Sequence, residues 1–288
     1  GRDDVVAYLT DVFTAVLGSA DIKYIKWDMN RNISDANSAA LPPNRQGEVM
    51  HRYILGVYKL MENLVSTFPN ILFEGCSGGA GRNDPGILYY MPQNWGSDNT
   101  DAVERMYIQY GAGMVYPSST ICAHVSDVPN HQVGRTTPMK LRSEVAMSAV
   151  MGYEFDLSKL TDDECYDISE QIKQYKRIRS IVCFGDLYRL INPFENRSAS
   201  WMYVSEDKTK AVVFYYNKLA KPNSEIRRLK LKGLDEGKTY IVDNKEYTGR
   251  TLMNFGLYLP EYEKDFESRA WEIEEKKKRR GGVSHVLR

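Results

Sequence analysis

The sequence predicts an α/β barrel segment followed by a small antiparallel β-domain, and three observations carry that prediction. The first is an apolar-polar alternation at Ile22-Lys23-Tyr24-Ile25 that runs into Lys26-Trp27-Asp28-Met29-Asn30-Arg31. A period of two marks a strand, and reactive groups gathered at a strand's C-terminal end are the arrangement α/β barrels use to build active sites. The second is another acidic cluster, Trp95-Gly96-Ser97-Asp98-Asn99-Thr100-Asp101, in which Asp98 lies 70 positions after Asp28 (98 − 28), room for two βα units. The third is a change of pattern near Pro193, after which short β-favouring runs alternate with turn residues. An isolated Lys-x-Asp reads as a solvated ion pair, but that reading leaves Trp27, Asn30, Arg31 and the second cluster unaccounted for.

Taken in order, residues 3–17 read as an amphipathic helix through Val5, Leu9, Val12, Phe13 and Val16. The strand that ends at Asp28 follows. Residues 44–67 repeat apolar side chains at helical spacing (Val49, Tyr53, Ile54, Val57, Leu60, Met61, Leu64), Pro69-Asn70 forms a turn, and Ile71-Leu72-Phe73 is a buried strand. That strand opens into residues 74–86, which hold five glycines but neither Gly-Lys-Ser/Thr nor a dinucleotide fingerprint. Glycine there lets backbone approach a ligand closely. Asp101 reads as the N-cap of a helix over 102–106, with Thr100 as the other cap candidate. Residues 161–183 form a long helix with Asp162-Asp163-Glu164 in its first turn and Lys173, Lys176, Arg177 and Arg179 toward its end, the order that complements the helix dipole. Strands are predicted at 199–204, 211–217, 226–231, 240–242 and 250–252. Trp201, Tyr203, Phe214, Tyr215 and Tyr216 read as core aromatics. The division is 1–193 for the barrel part, 194–275 for the antiparallel domain and 276–288 for a charged, solvated tail that includes Lys276-Lys277-Lys278-Arg279-Arg280.

Composition excludes several classes. The 288 residues are 42% hydrophobic and 26% charged, ordinary globular usage, and the formal net charge is zero, so nothing draws the chain to nucleic acid or an anionic membrane. No apolar run approaches the ~18 residues of a membrane span. Cys76, Cys122, Cys165 and Cys183 show neither metal-ligand spacing nor the density of a disulfide framework, and read as free thiols of a reducing compartment, hence cytoplasmic. No cofactor or metal is expected, since His51, His124, His131 and His285 lack a third ligand at workable spacing. The sequons at Asn32 and Asn196 read as chance, and the start at Gly1 shows no signal-peptide pattern.

Several runs together resemble the α-galactosidases of glycoside hydrolase family 36. They are Lys26 to Arg31, Cys76-Ser77-Gly78-Gly79, Asp84-Pro85-Gly86 with Tyr89-Tyr90, Ser97 to Asp101, Gln109-Tyr110-Gly111, Val115-Tyr116-Pro117, His124-Val125-Ser126 and Pro129-Asn130-His131-Gln132. The resemblance spans roughly the first 270 residues. It implies that the Asp28 strand is the fourth of a (β/α)8 barrel. The 71–73 strand is then the fifth, the residues before Ser97 the sixth, Gly113-Met114-Val115 the start of the seventh and 153–156 the eighth. By that count the fold class is the C-terminal part, about strands 4–8, of a TIM-type barrel followed by a small antiparallel β-domain, a fragment of a longer protein that forms a homo-oligomer.

The same resemblance implies a retaining exo-α-galactosidase with Asp28 as nucleophile and Asp98 as general acid/base, acting on α-galactoside oligosaccharides such as melibiose or raffinose. It implies a sugar pocket lined by Lys26, Trp27, Asn30, Cys76 and Gly78. The residues agree with it: Lys26 and Asn30 fall two positions either side of Asp28, so all three share one face of the strand, and a nearby ammonium favours an ionised carboxylate. Asp101 is the competitor for the acid/base role. Two other functions remain open at this point, a raffinose-synthase-like galactosyltransferase and an inert sugar-binding remnant.

Overall fold

A computed structural model describes residues 1–31, 33–222, 226–259 and 264–277. In chain order the first elements are α1 (Asp3–Leu17), β1 (Tyr24–Asp28), α2 (Val49–Thr67), β2 (Leu72–Cys76), α3 (Pro85–Tyr90), β3 (Gln93–Trp95), α4 (Ala102–Ala112), β4 (Ile121–Ser126), α5 (Met139–Met147), β5 (Val150–Glu154) and α6 (Asp162–Phe184). Their strands make one five-stranded sheet in the order β1-β2-β3-β4-β5. The ladders from β1 to β2, β2 to β3 and β3 to β4 are parallel. Strands that neighbour in sequence and run parallel need a crossover between them, the wiring of a β/α barrel. The expected partial barrel is therefore the observed architecture. Two compact units divide the chain, residues 1–99 with 111–123, and residues 100–110 with 124–288.

The first unit is built on one sheet face. Lys26 and Asp28 register against Glu74 and Cys76, and Glu74 registers against Gln93. Register partners share a face, so these side chains line one side, as does Trp95, two residues after Gln93. Ile25, Trp27 and Phe73 point the other way. There they pack with Val6, Phe13 and Leu17 of α1, Leu60, Met61 and Leu64 of α2, and Ile87 and Met91. The expected helix over 3–17 is α1, with Asp3 and Asp4 in its first turn.

The second unit holds the antiparallel sheet in the order β11-β10-β13-β8-β7-β6. Its strands are β6 (Asp186–Ile191), β7 (Ser198–Val204), β8 (Lys210–Asn217), β10 (Thr239–Val242), β11 (Lys245–Thr248) and β13 (Glu267–Glu275), while β9 (Arg228–Leu229) pairs separately with β12 (Leu257–Tyr258). Strands β7 and β8 are buried along nearly their whole length because both faces are covered. Met202, Val204, Val213 and Tyr215 meet Leu252, Trp271 and Ile273 on one side. Trp201, Tyr203, Phe214 and Tyr216 meet Met106, Leu141, Val145, Ile178 and Val182 on the other. The aromatics read as core are core. Helix α6 opens on a capping box between Thr161 and Glu164.

Several expectations are corrected. Gly113-Met114-Val115 is not a strand: Met114 and Val115 donate back to the Gly111 and Ala112 carbonyls, at 3.0 Å each, and extend the helical exit of α4. The strand starts after Pro117, at Ile121. Residues 250–252 lie inside helix α7 (Gly249–Asn254), because Thr248 caps it by accepting from the Thr251 N–H. Of 226–231 only Arg228–Leu229 pair. The antiparallel sheet already begins at β6, ahead of Pro193. The first sequon asparagine, His285 and most of the charged tail lie outside the described residues. Among the described residues no helix is long and apolar enough to cross a membrane.

Candidate active site

The site grows from the ends of β1, β2 and β3, all within the first unit. Asp28 is the last residue of β1, beside Cys76, the last of β2. The strands stay zipped just beyond, where the Met29 N–H donates to the Cys76 carbonyl at 3.2 Å and the Ser77 hydroxyl donates to the Met29 carbonyl at 2.6 Å. Asn30 then works in two directions. Its amide donates to Asp28 Oδ2 at 2.9 Å, and its Oδ1 accepts from the Gly78 N–H at 2.6 Å. One side chain thus braces the Asp28 carboxyl and tethers the glycine loop after β2.

That loop leans on the next one. Gly78 and Gly79 both have positive φ, 55° and 79°, the left-handed region in which glycine has no side-chain penalty. A Cβ on Gly79 would sit 2.7 Å from Ser97 Cα and 3.1 Å from the Asp98 nitrogen. Backbone-to-backbone packing therefore sets Asp98 beside the same glycine loop that Asn30 tethers. Asp98 is anchored from below: the Trp95 indole N–H donates to its Oδ1 at 3.0 Å. Trp95 is 2% exposed, and Lys26 Nζ stands 4.8 Å from its ring centroid.

The electrostatics favour an anion at Asp28. Burial is the largest single influence and opposes ionisation. Hydrogen bonds from Asn30, Cys76 and the Met29 N–H, with the Lys26 charge, together outweigh it and hold the carboxyl below its ordinary value. Burial pushes the Cys76 thiol up to about 11, so it is protonated at neutral pH and acts as a donor toward Asp28.

Sequence reading and structure agree that Lys26, Asp28, Asn30, Cys76 and Gly78 meet, and that Asp98 borders the same loop. Trp27 does not join them. Strand alternation turns it to the helix side, where its ring lies 5.2 Å from that of Phe13. The indole at the site is Trp95, which sequence reading included in the acidic cluster without giving it a role. Its spacing, two after Gln93 and three before Asp98, was the available signal. Asp84-Pro85-Gly86 is helix chemistry: Asp84 caps α3, accepting from the Gly86 and Ile87 N–H groups at 2.7 and 3.0 Å. In the second unit, Asp101 caps α4 by accepting from the Glu104 N–H at 3.0 Å and pairs with Arg135, as its reading as a cap requires. His124 Nδ1 lies 3.0 Å from Glu154 Oε2. Among the described residues no group of three or more His, Cys, Asp or Glu could hold a metal ion.

Parallel β/α strands whose ends bring acidic residues to a glycine loop are the architecture of a β/α-barrel protein. The chain belongs to the melibiase family, which residues 1–185 match, and residues 198–273 match the glycosyl hydrolase family 36 C-terminal domain. Alpha-galactosidase AgaA of Geobacillus stearothermophilus is 51% identical over 273 residues, covering 94% of this chain and 37% of that protein. Alpha-galactosidase Mel36A of Lactobacillus acidophilus is 45% identical over the same shares. The crystal structure of a variant of the Geobacillus AgaA in complex with raffinose has a TM-score of 0.94 and 50% identity, over 96% of this chain and 38% of that one. The chain thus spans little more than a third of the relatives it matches.

Proposed function

We propose that this chain provides the two catalytic carboxyls of a retaining α-galactosidase that removes terminal α-linked galactose from melibiose- or raffinose-type oligosaccharides. The observation that carries the reading is the setting of Asp28: the Asn30 amide donates to its Oδ2 at 2.9 Å, and the Cys76 thiol and the Lys26 ammonium lie near enough to favour the anion of this strand-end carboxyl. A carboxylate kept ionised suits nucleophilic attack. Asp98, beside the glycine loop, is the second carboxyl that a retaining glycosidase needs. Membership of the melibiase family, and the raffinose and stachyose complexes of AgaA variants, support the substrate class.

In the first step an Asp28 oxygen bonds to the anomeric carbon while Asp98 gives its proton to the glycosidic oxygen. The glycosidic bond breaks, and a galactosyl ester remains on Asp28. In the second step the Asp98 carboxylate takes a proton from water. The water oxygen bonds to the anomeric carbon, the ester bond breaks, and the configuration is retained. Lys26, Asn30, Cys76 and Gly78 line the sugar pocket, with Asn30 also bracing the nucleophile. The four cysteines, all free thiols, support work in a reducing compartment such as the cytoplasm.

The test is Asp28→Gly in the full polypeptide that carries residues 1–288. Turnover is lost at every pH, and azide restores part of the turnover of an activated aryl α-galactoside, giving the β-galactosyl azide. Substantial turnover without azide removes Asp28 from the nucleophile role. A sugar acceptor offered alongside raffinose, with product analysis, distinguishes hydrolysis from galactosyl transfer.

A further inference from the structure

We propose that Trp95 is a positioning residue for the acid/base: its indole N–H holds Asp98 Oδ1 and thereby makes Oδ2 the oxygen that carries the transferable proton. The inference deepens the reading above and rests on Asp98 being the acid/base. The geometry is the 3.0 Å contact from Trp95 Nε1 to Asp98 Oδ1. An indole nitrogen donates and never accepts, and the carbonyl oxygen of a protonated carboxyl accepts better than its hydroxyl oxygen. The protonated form of Asp98 therefore satisfies Trp95 best with its hydrogen on Oδ2.

The donor is itself fixed. Trp95 ends β3, is 2% exposed, and registers against Cys122 of β4, so its ring cannot swing without disturbing the sheet. Lys26 Nζ, 4.8 Å from the ring centroid, adds a cation on the π-face, which draws electron density from the ring and polarises the N–H. Lys26 also favours ionised Asp28. One ammonium thus acts on both carboxyls, directly on the nucleophile and through an indole on the acid/base. The arrangement supports both steps: the N–H fixes which oxygen faces the leaving group when it needs a proton, and holds the carboxyl in place while it draws one from water.

The test replaces the N–H without emptying the site. Trp95→benzothienylalanine puts sulfur in place of the N–H and keeps the bicyclic shape and π-face; Trp95→Phe is the coded counterpart. Both are made in the full polypeptide, with Asp98→Ala as control, and kcat/KM is measured on a dinitrophenyl α-galactoside, a methyl α-galactoside and raffinose. Loss of a donor to a catalytic carboxyl is expected to slow the methyl glycoside and raffinose by about tenfold or more, with the dinitrophenyl substrate, which needs no proton, nearly unchanged. Equal loss on all three substrates means that Trp95 only supports the fold and overturns the inference; no loss overturns it too. If Asp98→Ala shows the leaving-group dependence and benzothienylalanine does not, the Trp95 inference alone fails. If Asp98→Ala shows none, the acid/base reading falls and the inference with it.

Discussion

Asp28 and Asp98 are the same side chain given different neighbours. Asp28 has the Asn30 amide at 2.9 Å and other groups that favour its anion, and its carboxyl stays below the ordinary value despite the desolvation that opposes them. Removing one donor raises it toward that value, so Cys76→Ala moves the acid limb of kcat/KM to higher pH, because the nucleophile must be ionised to attack. A pH–rate profile checks this, and an acid limb that stays put or moves down contradicts the role given to the thiol. Asp98→Ala slows substrates with poor leaving groups by orders of magnitude more than dinitrophenyl galactosides. Equal loss on both moves the acid/base role elsewhere. At this scale strand period marked Lys26, Asp28 and Asn30 as one face, while Cys76 and Gly78 were implied by the resemblance and Asp98 stood in an acidic cluster that the resemblance singles out. Trp27 was misread since residue type drew attention before strand face was considered: the alternation that brings Lys26 and Asp28 to the site sends Trp27 into the α1 core.

Among the elements, the decisive one is the glycine loop after β2. It receives Asn30 and packs against Ser97 and Asp98. Gly79→Ala strains a residue at φ 79° and drives a methyl to within 2.7 Å of Ser97 Cα, so either the loop or Asp98 must shift. The expected outcome is a loss of kcat of at least tenfold with little change in the melting curve, since misplacing a reacting group is costly while the loop contributes little core. A variant with wild-type kcat shows that the loop does not set the spacing of the two carboxyls. Element types were legible wherever periodicity was strong, as for α1, α2 and α6. Misreadings fell at 113–115 and 250–252, where short β-favouring runs lie beside a helix exit in one case and a threonine cap in the other. Three to six residues carry too little period to outvote a cap.

On the scale of the whole polypeptide, the first unit keeps an apolar stripe in solvent. Val5, Tyr8, Val12 and Val16 of α1 are 42%, 67%, 39% and 55% exposed, and among the described residues β1 pairs only with β2, as the end strand of its sheet. An open strand edge beside an apolar helix face favours association with another chain. Residues 1–288 expressed alone are therefore expected to self-associate and to turn over aryl α-galactosides poorly. Light scattering after size exclusion measures the first and a colorimetric assay the second. Tyr8→Lys with Val16→Lys should lower the associated fraction. A monomeric polypeptide with high turnover contradicts the expectation, as does an association unmoved by the charges.

By itself the sequence marked the strand that ends at Asp28, the glycine-rich stretch after β2 and the change to short strands near Pro193, each written in local pattern: a period of two, a run of glycines at a strand's end, a return of turn residues. The barrel count and the pairing of Asp28 with Asp98 came from the resemblance. Only the tertiary structure decided which strand face meets the helices, that Asn30 braces Asp28 and the loop at once, and that the Trp95 indole donates to Asp98. The Asn30–Asp28 and Trp95–Asp98 bonds are local, but Asn30 and Gly78 lie 48 residues apart and Lys26 and Trp95 stand on separate strands. Such contacts arise from register, and register is set by the burial of a shared apolar face rather than by any residue's own preference.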